Sequence, residues 1–451
     1  MKSNWALLSI ALGRLLGVLG VSALFAVALA AFARRARDQK NAVKVYGEAI
    51  KSGMSDPMTL HPEIDRLRCA GCGACVKACP EGGIIQLIDH KAVLVSPTKC
   101  VGHGECEASC PFDAIQLVFG TKTRGMEMPR VTTHFETNVS GIYIVGELGG
   151  MGLIRNAVKQ GRLAMEHAAA TLTKRGSVDS EILIVGAGPA GLSASLAAIE
   201  AKKSYICLEQ NSFGGTIYNF PRQKVVMSHP ADLPLIGPMR FARNKISKEE
   251  LLGYWNQVRR KTGLKVNEGC RFINLQNHHD FFAVETTKGI IRTRKIILAM
   301  GVRGTPRRLG VPGEDLPKVT YNLLEPEQYQ GCHVIVIGGG NAGVEAAQQL
   351  AQPKYRNLVT LLVRSQKFDR CNQENQDIIF SMARKRLVDI RFSAALKSIA
   401  EDRVTYEQKG KDITVKNDFV FIFAGAEMPF KFLQGLGVAI DKKFGEPIRK
   451  A

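Results

Sequence analysis

Two copies of one cysteine run constrain this chain more than any other feature. The first is Cys69-x2-Cys72-x2-Cys75-x3-Cys79-Pro80, and the second is Cys100-x2-His103-x2-Cys106-x3-Cys110-Pro111. The stretches ACPEGGIIQLI and SCPFDAIQLV also align, which points to an internal duplication. Such close spacing wraps the backbone round whatever the thiolates bind, and Gly71 and Gly73 permit the close approach. Soft thiolates suit iron and sulfide. Seven cysteines and one histidine could instead fill two structural zinc sites, a reading that the Cys-Pro endings disfavour. Disulfides are the weakest alternative in a reducing compartment.

These residues resemble the dicluster ferredoxins over residues 59–120, whose runs hold [4Fe–4S] clusters and lend their fourth cysteine to the other cluster. The resemblance implies one cluster on Cys69, Cys72, Cys75 and Cys110, and a second on Cys79, Cys100 and Cys106. His103 stands where the family has cysteine. Three readings stay open there: imidazole ligation of iron, a three-iron cluster, or a histidine that is only a neighbour. At least one of the two clusters is expected to be 4Fe–4S.

Two strand-turn-helix units follow. In EILIVGAGPAGLSASLAAIEAKKSYICLEQ an apolar strand runs into Gly186-x-Gly188-x-Ala190-Gly191, and Glu209 ends the next strand. The glycines make the turn, admit a pyrophosphate to the backbone and let helix and strand pack, while an acid at that distance suits ribose hydroxyls. The amides at the helix start face the phosphates. The second copy, VIVIGGGNAGVEAA, carries Gly338, Gly340 and Gly343, and its next strand ends in Arg364, with Lys367 and Arg370 behind. Cations there suit the 2′-phosphate of NADPH, so NADPH is favoured over NADH. The competing reading is solvated surface charge.

Two such units, their first glycines 152 residues apart, resemble two-dinucleotide flavoproteins of the thioredoxin-reductase-like group over about residues 121–446. That resemblance implies FAD on the first unit and the nicotinamide cofactor on the second. KIILAMGVRGTPRRLGVPGED, with Ala299, Gly301 and Pro306, is similar to the family's strand-glycine-proline connection, and DFVFIFAGAEMP to its later counterpart. The family's closing flavin strand and helix are absent from the carboxyl end. TNVSGIYIVGELGGMGLIRNAVKQGRLAMEHAA at 137–169 resembles them instead, with Gly146 and Glu147 at the flavin-facing turn, so a circular permutation is expected. GGTIYNFPRQKVVMSH resembles bacillithiol-disulfide reductases, which place a cysteine where this chain has Ala190. The dithiol of thioredoxin reductases is also missing, with Cys332 alone in the matching stretch.

Residues 15–33, LLGVLGVSALFAVALAAFA, carry no charge. As a helix they reach about 28 Å, one bilayer core. Arg34, Arg35, Arg37, Lys40 and Lys44 follow, so the expectation is a single span with the catalytic domains cytoplasmic. A cleaved signal peptide is the rival, since Ala28-Leu29-Ala30 resembles a cleavage site. Lys plus Arg exceeds Asp plus Glu, 61 to 41, but no nucleic-acid signature accompanies the surplus of +20. A membrane face or an acidic partner fits better.

The expected fold class is α/β: two Rossmann-like domains, an α+β dicluster module and one transmembrane helix. The expected divisions are an anchor (1–33), a basic linker (34–58), a ferredoxin domain (59–120), an FAD domain (121–320 completed by 419–451) and an NAD(P) domain (321–418). Pairing of the two long half-domains would allow homodimerisation, as in relatives. A flavin converts hydride pairs into single electrons, so the expected function is electron transfer between NAD(P)H, FAD, the clusters and an outside acceptor, either a redox protein or a quinone. No catalytic side chain is named, because hydride transfer to flavin demands none. The alternatives are a low-molecular-weight disulfide reductase and a non-catalytic membrane redox sensor.

Overall fold

The computed structural model describes residues 2–51, 60–97, 100, 102–121, 125–149, 152–173, 177–220, 224–227, 231–241, 246–302, 306–425 and 429–447; the side chains of residues 2–24, 26, 51, 225, 227 and 447 lie outside that description. The chain divides into two compact units, one of residues 1–56, 62–100 and 104–116 and one of the remainder.

In the first unit, helix α1 (Lys2–Lys51) runs unbroken across the expected boundary between anchor and linker. Gln39, Ala42, Tyr46 and Ala49 form its covered stripe at helical spacing, with Ala42 fully buried. Among the described residues no helix is long and apolar enough to cross a membrane, so the expected span is not found. Most side chains of the apolar run 15–33 fall outside the described residues. Strand β1 (His61–Ile64), helix α2 (Ala74–Ala78), the hairpin β2 (Ile85–Ile88) and β3 (Lys91–Leu94), helix α3 (Glu105–Ala108) and strand β4 (Ile115–Phe119) complete this part of the chain. The hairpin turns at Asp89 and His90, both at positive φ. The duplication is visible in the backbone: α2 and α3 each start from a left-handed glycine, Gly73 at φ 75° and Gly104 at φ 85°.

Two sheets dominate the second unit, beside a three-stranded antiparallel one (residues 394–399, 403–408 and 411–416) and smaller strand pairs. The first is built from β6 (Ile142–Ile144), β7 (Ser180–Val185), β8 (Tyr205–Glu209), β9 (Asn267–Glu268), β10 (Phe272–Asn277), β11 (Phe282–Thr286) and β12 (Gly289–Leu298), preceded in the chain by β5 (Met126–Pro129). The carboxyl half of β12 is flanked by two parallel partners, Leu298 standing opposite both Ile144 and Val185. Thus β6, which precedes the first glycine loop in sequence, joins the sheet that carries that loop, as the expected permutation requires. Residues 142–145 are wholly buried, Tyr143 and Val145 in one core and Ile142 and Ile144 in the other, as the period of two demands of a strand covered on both faces. Helix α4 (Ile154–Ala170) packs on α5 (Pro189–Glu200). Helix α6 (Lys248–Thr262) closes the same core through Leu251, Trp255 and Val258, its start fixed by the reciprocal Ser247 and Glu250 hydrogen bonds.

The second sheet is five-stranded and wholly parallel, in the order β13 (Val319–Thr320), β17 (Phe419–Ile422), β14 (His333–Ile337), β15 (Leu358–Val363), β16 (Val388–Phe392). Helices α7 (Asn341–Leu350) and α8 (Gln373–Arg384) cover it. The division expected at 418/419 differs here, because β17 hydrogen-bonds to β14 and belongs to the second sheet. The chain returns to the first core only with helix α9 (Phe430–Gly435), whose Leu433 packs with Leu436 and Val438 beneath Ile142 and Ile144. Strand β18 (Ile440–Lys443) then pairs with β5.

Candidate functional site

The cysteines converge as two sets. Cys69, Cys72, Cys75 and Cys110 line one cavity with Gly71, Gly73, Ala92, Phe112, Ala114 and Ile115. The amide of Ala92 donates to Cys69 Sγ and that of Ala114 to Cys110 Sγ, both at 3.4 Å. Such N–H···S bonds stabilise thiolate and tune cluster potential. Burial, then Cys69, Cys110 and Cys72 close by, push the Cys75 thiol up to about 11. Cys106 is pushed up to about 12 by burial and by Cys100 and Cys79. The fourth cysteine of each run therefore stands with the other run's thiols, and thiols gathered in this way give up their protons on binding a metal centre. A Cβ on Gly71 would meet the His90 carbonyl oxygen at 2.0 Å, so only glycine lets the loop close. His103 is half-buried on the loop between Gly102 and Gly104, before α3. Among the described residues no group of three or more His, Cys, Asp or Glu is placed to hold a single metal ion.

At the first dinucleotide loop, Gly186 takes φ 105°, and a Cβ there would lie 2.6 Å from the Ala299 carbonyl oxygen at the end of β12. A Cβ on Gly191 would lie 1.8 Å from Gly186 O. Glu209 is buried, and its carboxylate accepts from Ala187 N at 2.9 Å and Asn211 N at 3.0 Å. The acid is thus fixed against the loop that it serves, with lone pairs to spare for ribose hydroxyls. Gly188 has open space where a Cβ would stand, while Ala190 is buried at the start of α5. Gly301, at φ 63°, follows β12.

Gly146 (φ 79°) and Glu147 lie on the turn between β6 and α4. The Gly146 amide donates to Gln160 Oε1 at 2.7 Å. Sequence reasoning missed Gln160. Its signal was present: it lies on the buried face of α4 with Ala157, Gly161, Ala164 and Ala168, where a polar side chain needs a partner. Its Nε2 is buried with no hydrogen-bond partner among the described residues. An orphaned donor beside this turn fits a polar ligand such as the flavin's ribityl-pyrophosphate arm. Gly161 brings α4 onto the first loop, since a Cβ there would come within 2.1 Å of Ala190 O.

The second loop repeats this design. Gly338 takes φ 133°, and a Cβ there would meet Phe423 O at 2.4 Å; one on Gly343 would meet Gly338 O at 2.3 Å. Arg364, Lys367 and Arg370 are exposed just beyond β15. The loop folds back so that the backbone of Arg370 bridges that of Gly340, which keeps the cations beside the glycine turn. Lys224 reaches from the first sheet's side to Glu345 on α7 at 2.7 Å, both half-buried.

Residues 183–449 match the family described as pyridine nucleotide-disulphide oxidoreductase, more than half of the chain. The chain belongs to that family. Residues 61–111 match the 4Fe-4S dicluster domain. The family members to which it is similar include bacilliredoxin reductase Bdr of Bacillus subtilis (strain 168), 32% identical over 60% of this chain and 84% of that one. A ferredoxin–NADP reductase of Ignicoccus hospitalis is 28% identical over 58% and 83%. Among solved structures, the bacillithiol disulfide reductase Bdr (YpdA) from Staphylococcus aureus superposes with a TM-score of 0.54 at 28% identity, over 60% and 84% of the two chains. This member of the family is an NAD(P)H-dependent flavin oxidoreductase with an appended iron–sulfur domain.

Its remaining thiols are unlike a disulfide relay. All eleven cysteines are free. Cys207 and Cys371 are buried, and burial pushes each up to about 12, with Glu345 adding to the rise at Cys371. A thiol so held is a poor nucleophile at neutral pH. Cys270 is buried too, and Cys332 donates to Gln330 O at 3.3 Å.

Proposed function

We propose that the chain is a membrane-anchored NADPH-dependent oxidoreductase that passes electrons through FAD to two iron–sulfur clusters and on to an external acceptor. The observation that carries this reading is the fusion, in one polypeptide, of a two-dinucleotide reductase with a cysteine module whose thiols gather in two sets. Bound flavin accepts two electrons as hydride and releases them singly, which is what one-electron clusters require. Gly186, Gly188, Ala190, Gly191, Glu209, Gly146, Glu147, Gln160 and Gly301 would hold FAD. Gly338, Gly340, Gly343, Arg364 and Lys367 would hold NADPH, with the cations on its 2′-phosphate. The name of the Ignicoccus relative, a ferredoxin–NADP reductase, supports traffic between nicotinamide and an iron–sulfur protein.

Support for the anchor comes from α1. Phe25, Val27, Leu29 and Phe32 are all exposed, 59–76%, and bare apolar side chains of that size call for an apolar surrounding. The basic residues after it orient the remainder toward the cytoplasm. Anaerobic titration with NADPH, followed by optical and EPR spectra, tests the path. Bleached flavin followed by reduced-cluster signals is expected; bleached flavin beside clusters that NADPH leaves oxidised, but that a stronger reductant reduces, refutes it.

A second reading, disulfide reduction, draws on the names of the Bdr relatives. It requires NADPH-dependent turnover of a low-molecular-weight disulfide, which Ala190 in place of the loop cysteine argues against.

A further inference from the structure

We propose that the first thiol set is the membrane-facing exit of this oxidoreductase and that it delivers electrons to a quinone dissolved in the bilayer. The inference rests on the reading above and names its acceptor.

A chain of contacts links α1 to the first thiol set within the first unit. The apolar run ends at Ala33, and Gln39 lies six residues further along the same helix, about 9 Å. Gln39 Nε2 donates to Asp89 Oδ1 at 3.0 Å. Asp89 and His90 form the β2–β3 turn, and the His90 carbonyl touches the loop at Gly71, within the first thiol set. Lys91 Nζ, next in the hairpin, donates to Cys69 O at 2.6 Å. Ala42, one turn beyond Gln39, is fully buried, so the helix is docked there and not merely tethered. A span at 15–33 therefore fixes the first cluster's loop close under the bilayer surface.

The exposed edge of that cluster suits such a place. Cys72 is the exposed member of its set. Leu67 is 95% exposed and Phe112 47% exposed, one two residues before Cys69 and the other lining the same cavity. Arg66 and the exposed cations of α1 (Arg34, Arg35, Arg37, Lys40, Lys44) supply charge for anionic headgroups. Apolar side chains beside an exposed thiol, on a loop held at a basic helix, fit lipid better than the polar rim of a soluble redox partner. The overall reaction balances as NADPH + H⁺ + quinone → NADP⁺ + quinol. NADPH loses two electrons as hydride, and the quinone takes them one at a time with two protons.

The test uses the full-length holoprotein in vesicles of phosphatidylcholine and phosphatidylglycerol containing a polyprenyl naphthoquinone. One quinol per NADPH is expected. Amide exchange should slow at residues 66–73 and 111–113 in vesicles relative to detergent. Leu67→Glu should slow quinol formation at least tenfold and abolish that protection; at 95% exposure this change leaves folding intact, which cluster absorbance checks. Reduced flavin and clusters beside quinone that stays oxidised would overturn this inference and leave the proposed function standing. Clusters that NADPH never reduces would sink both. Protein that fails to insert into the vesicles, or a Leu67→Glu protein that makes quinol at the parent rate, would also overturn it.

Discussion

Replacing Gly161 with alanine separates two accounts of α4 by the sign of a stability change. If residues 137–169 were a linker helix beside the flavin domain, Gly161→Ala would stabilise by about 1 kcal/mol, since alanine outranks glycine by that much inside a helix. The packing says otherwise. The new Cβ would stand 2.1 Å from Ala190 O and 2.9 Å from Ala190 C, both backbone atoms that cannot rotate away, whereas ordinary contact begins at 3.4 Å. The helices must part by roughly 1 Å, enough to forfeit a quarter to a half of each dispersion contact along the seam. Overpacking of this kind costs about 1–3 kcal/mol. Ala190 belongs to the first dinucleotide loop, so the shift should also loosen FAD. Gly253, exposed within α6 with nothing inside 4 Å of its Cβ position, is the control, and Gly253→Ala should gain up to about 1 kcal/mol. The assay is the temperature of flavin release from the anaerobic holoprotein, with bound flavin counted after gel filtration. A Gly161→Ala protein as stable as Gly253→Ala, with full flavin, would refute the claim that α4 is part of the flavin site.

Arg364→Ala should cut the preference for NADPH over NADH by about tenfold to a hundredfold, the worth of one charge-assisted hydrogen bond of about 1.5–3 kcal/mol; unchanged relative kcat/KM would remove that arginine from the site. Cys110→Ser should lose the cluster of the first run and Cys79→Ser that of the second, so iron content and EPR of the two variants should be complementary, and loss following each cysteine's own run would disprove the crossing. His167, beside His134, Glu136, Tyr143 and Lys295, is lowered below its ordinary 6.5 by burial first, then by His134 and Lys295, with Glu136 opposing. Below pH 6.5 the unfolded chain then binds a proton that the folded one refuses, so stability falls as pH drops from 6.5 toward the folded value and is flat above. His167→Gln should flatten that slope in flavin-release temperature, and an unaltered slope would assign it elsewhere.

How much of this was legible in the residues can be judged from particular positions. Gly186, Gly191, Gly338 and Gly343 could be read because their constraint is local: turns and helix starts leave no room for a Cβ whatever surrounds them. The thiol spacing was legible for the same reason, and the permuted strand through its motif. Gln160 was passed over because its role depends on Gly146, fourteen residues away across a turn, and only the helix register brings the two together. The boundary at 419 was misplaced because β17 reads as an apolar strand suited to either sheet, and its hydrogen bonds to β14 decide.

Sequence alone determined the chemistry on offer: thiolates for iron, glycine loops for two dinucleotides, and the order in which they are strung. Tertiary structure decided which groups meet. It put β6 against β12, turned Glu209 onto its own loop, buried Cys207 and Cys371 beyond easy reactivity, and joined Gln39 to the first thiol loop through Asp89. The reason is range: steric limits on a glycine or a cysteine run act within a few residues, whereas partners far apart in the chain are chosen by the burial of whole faces.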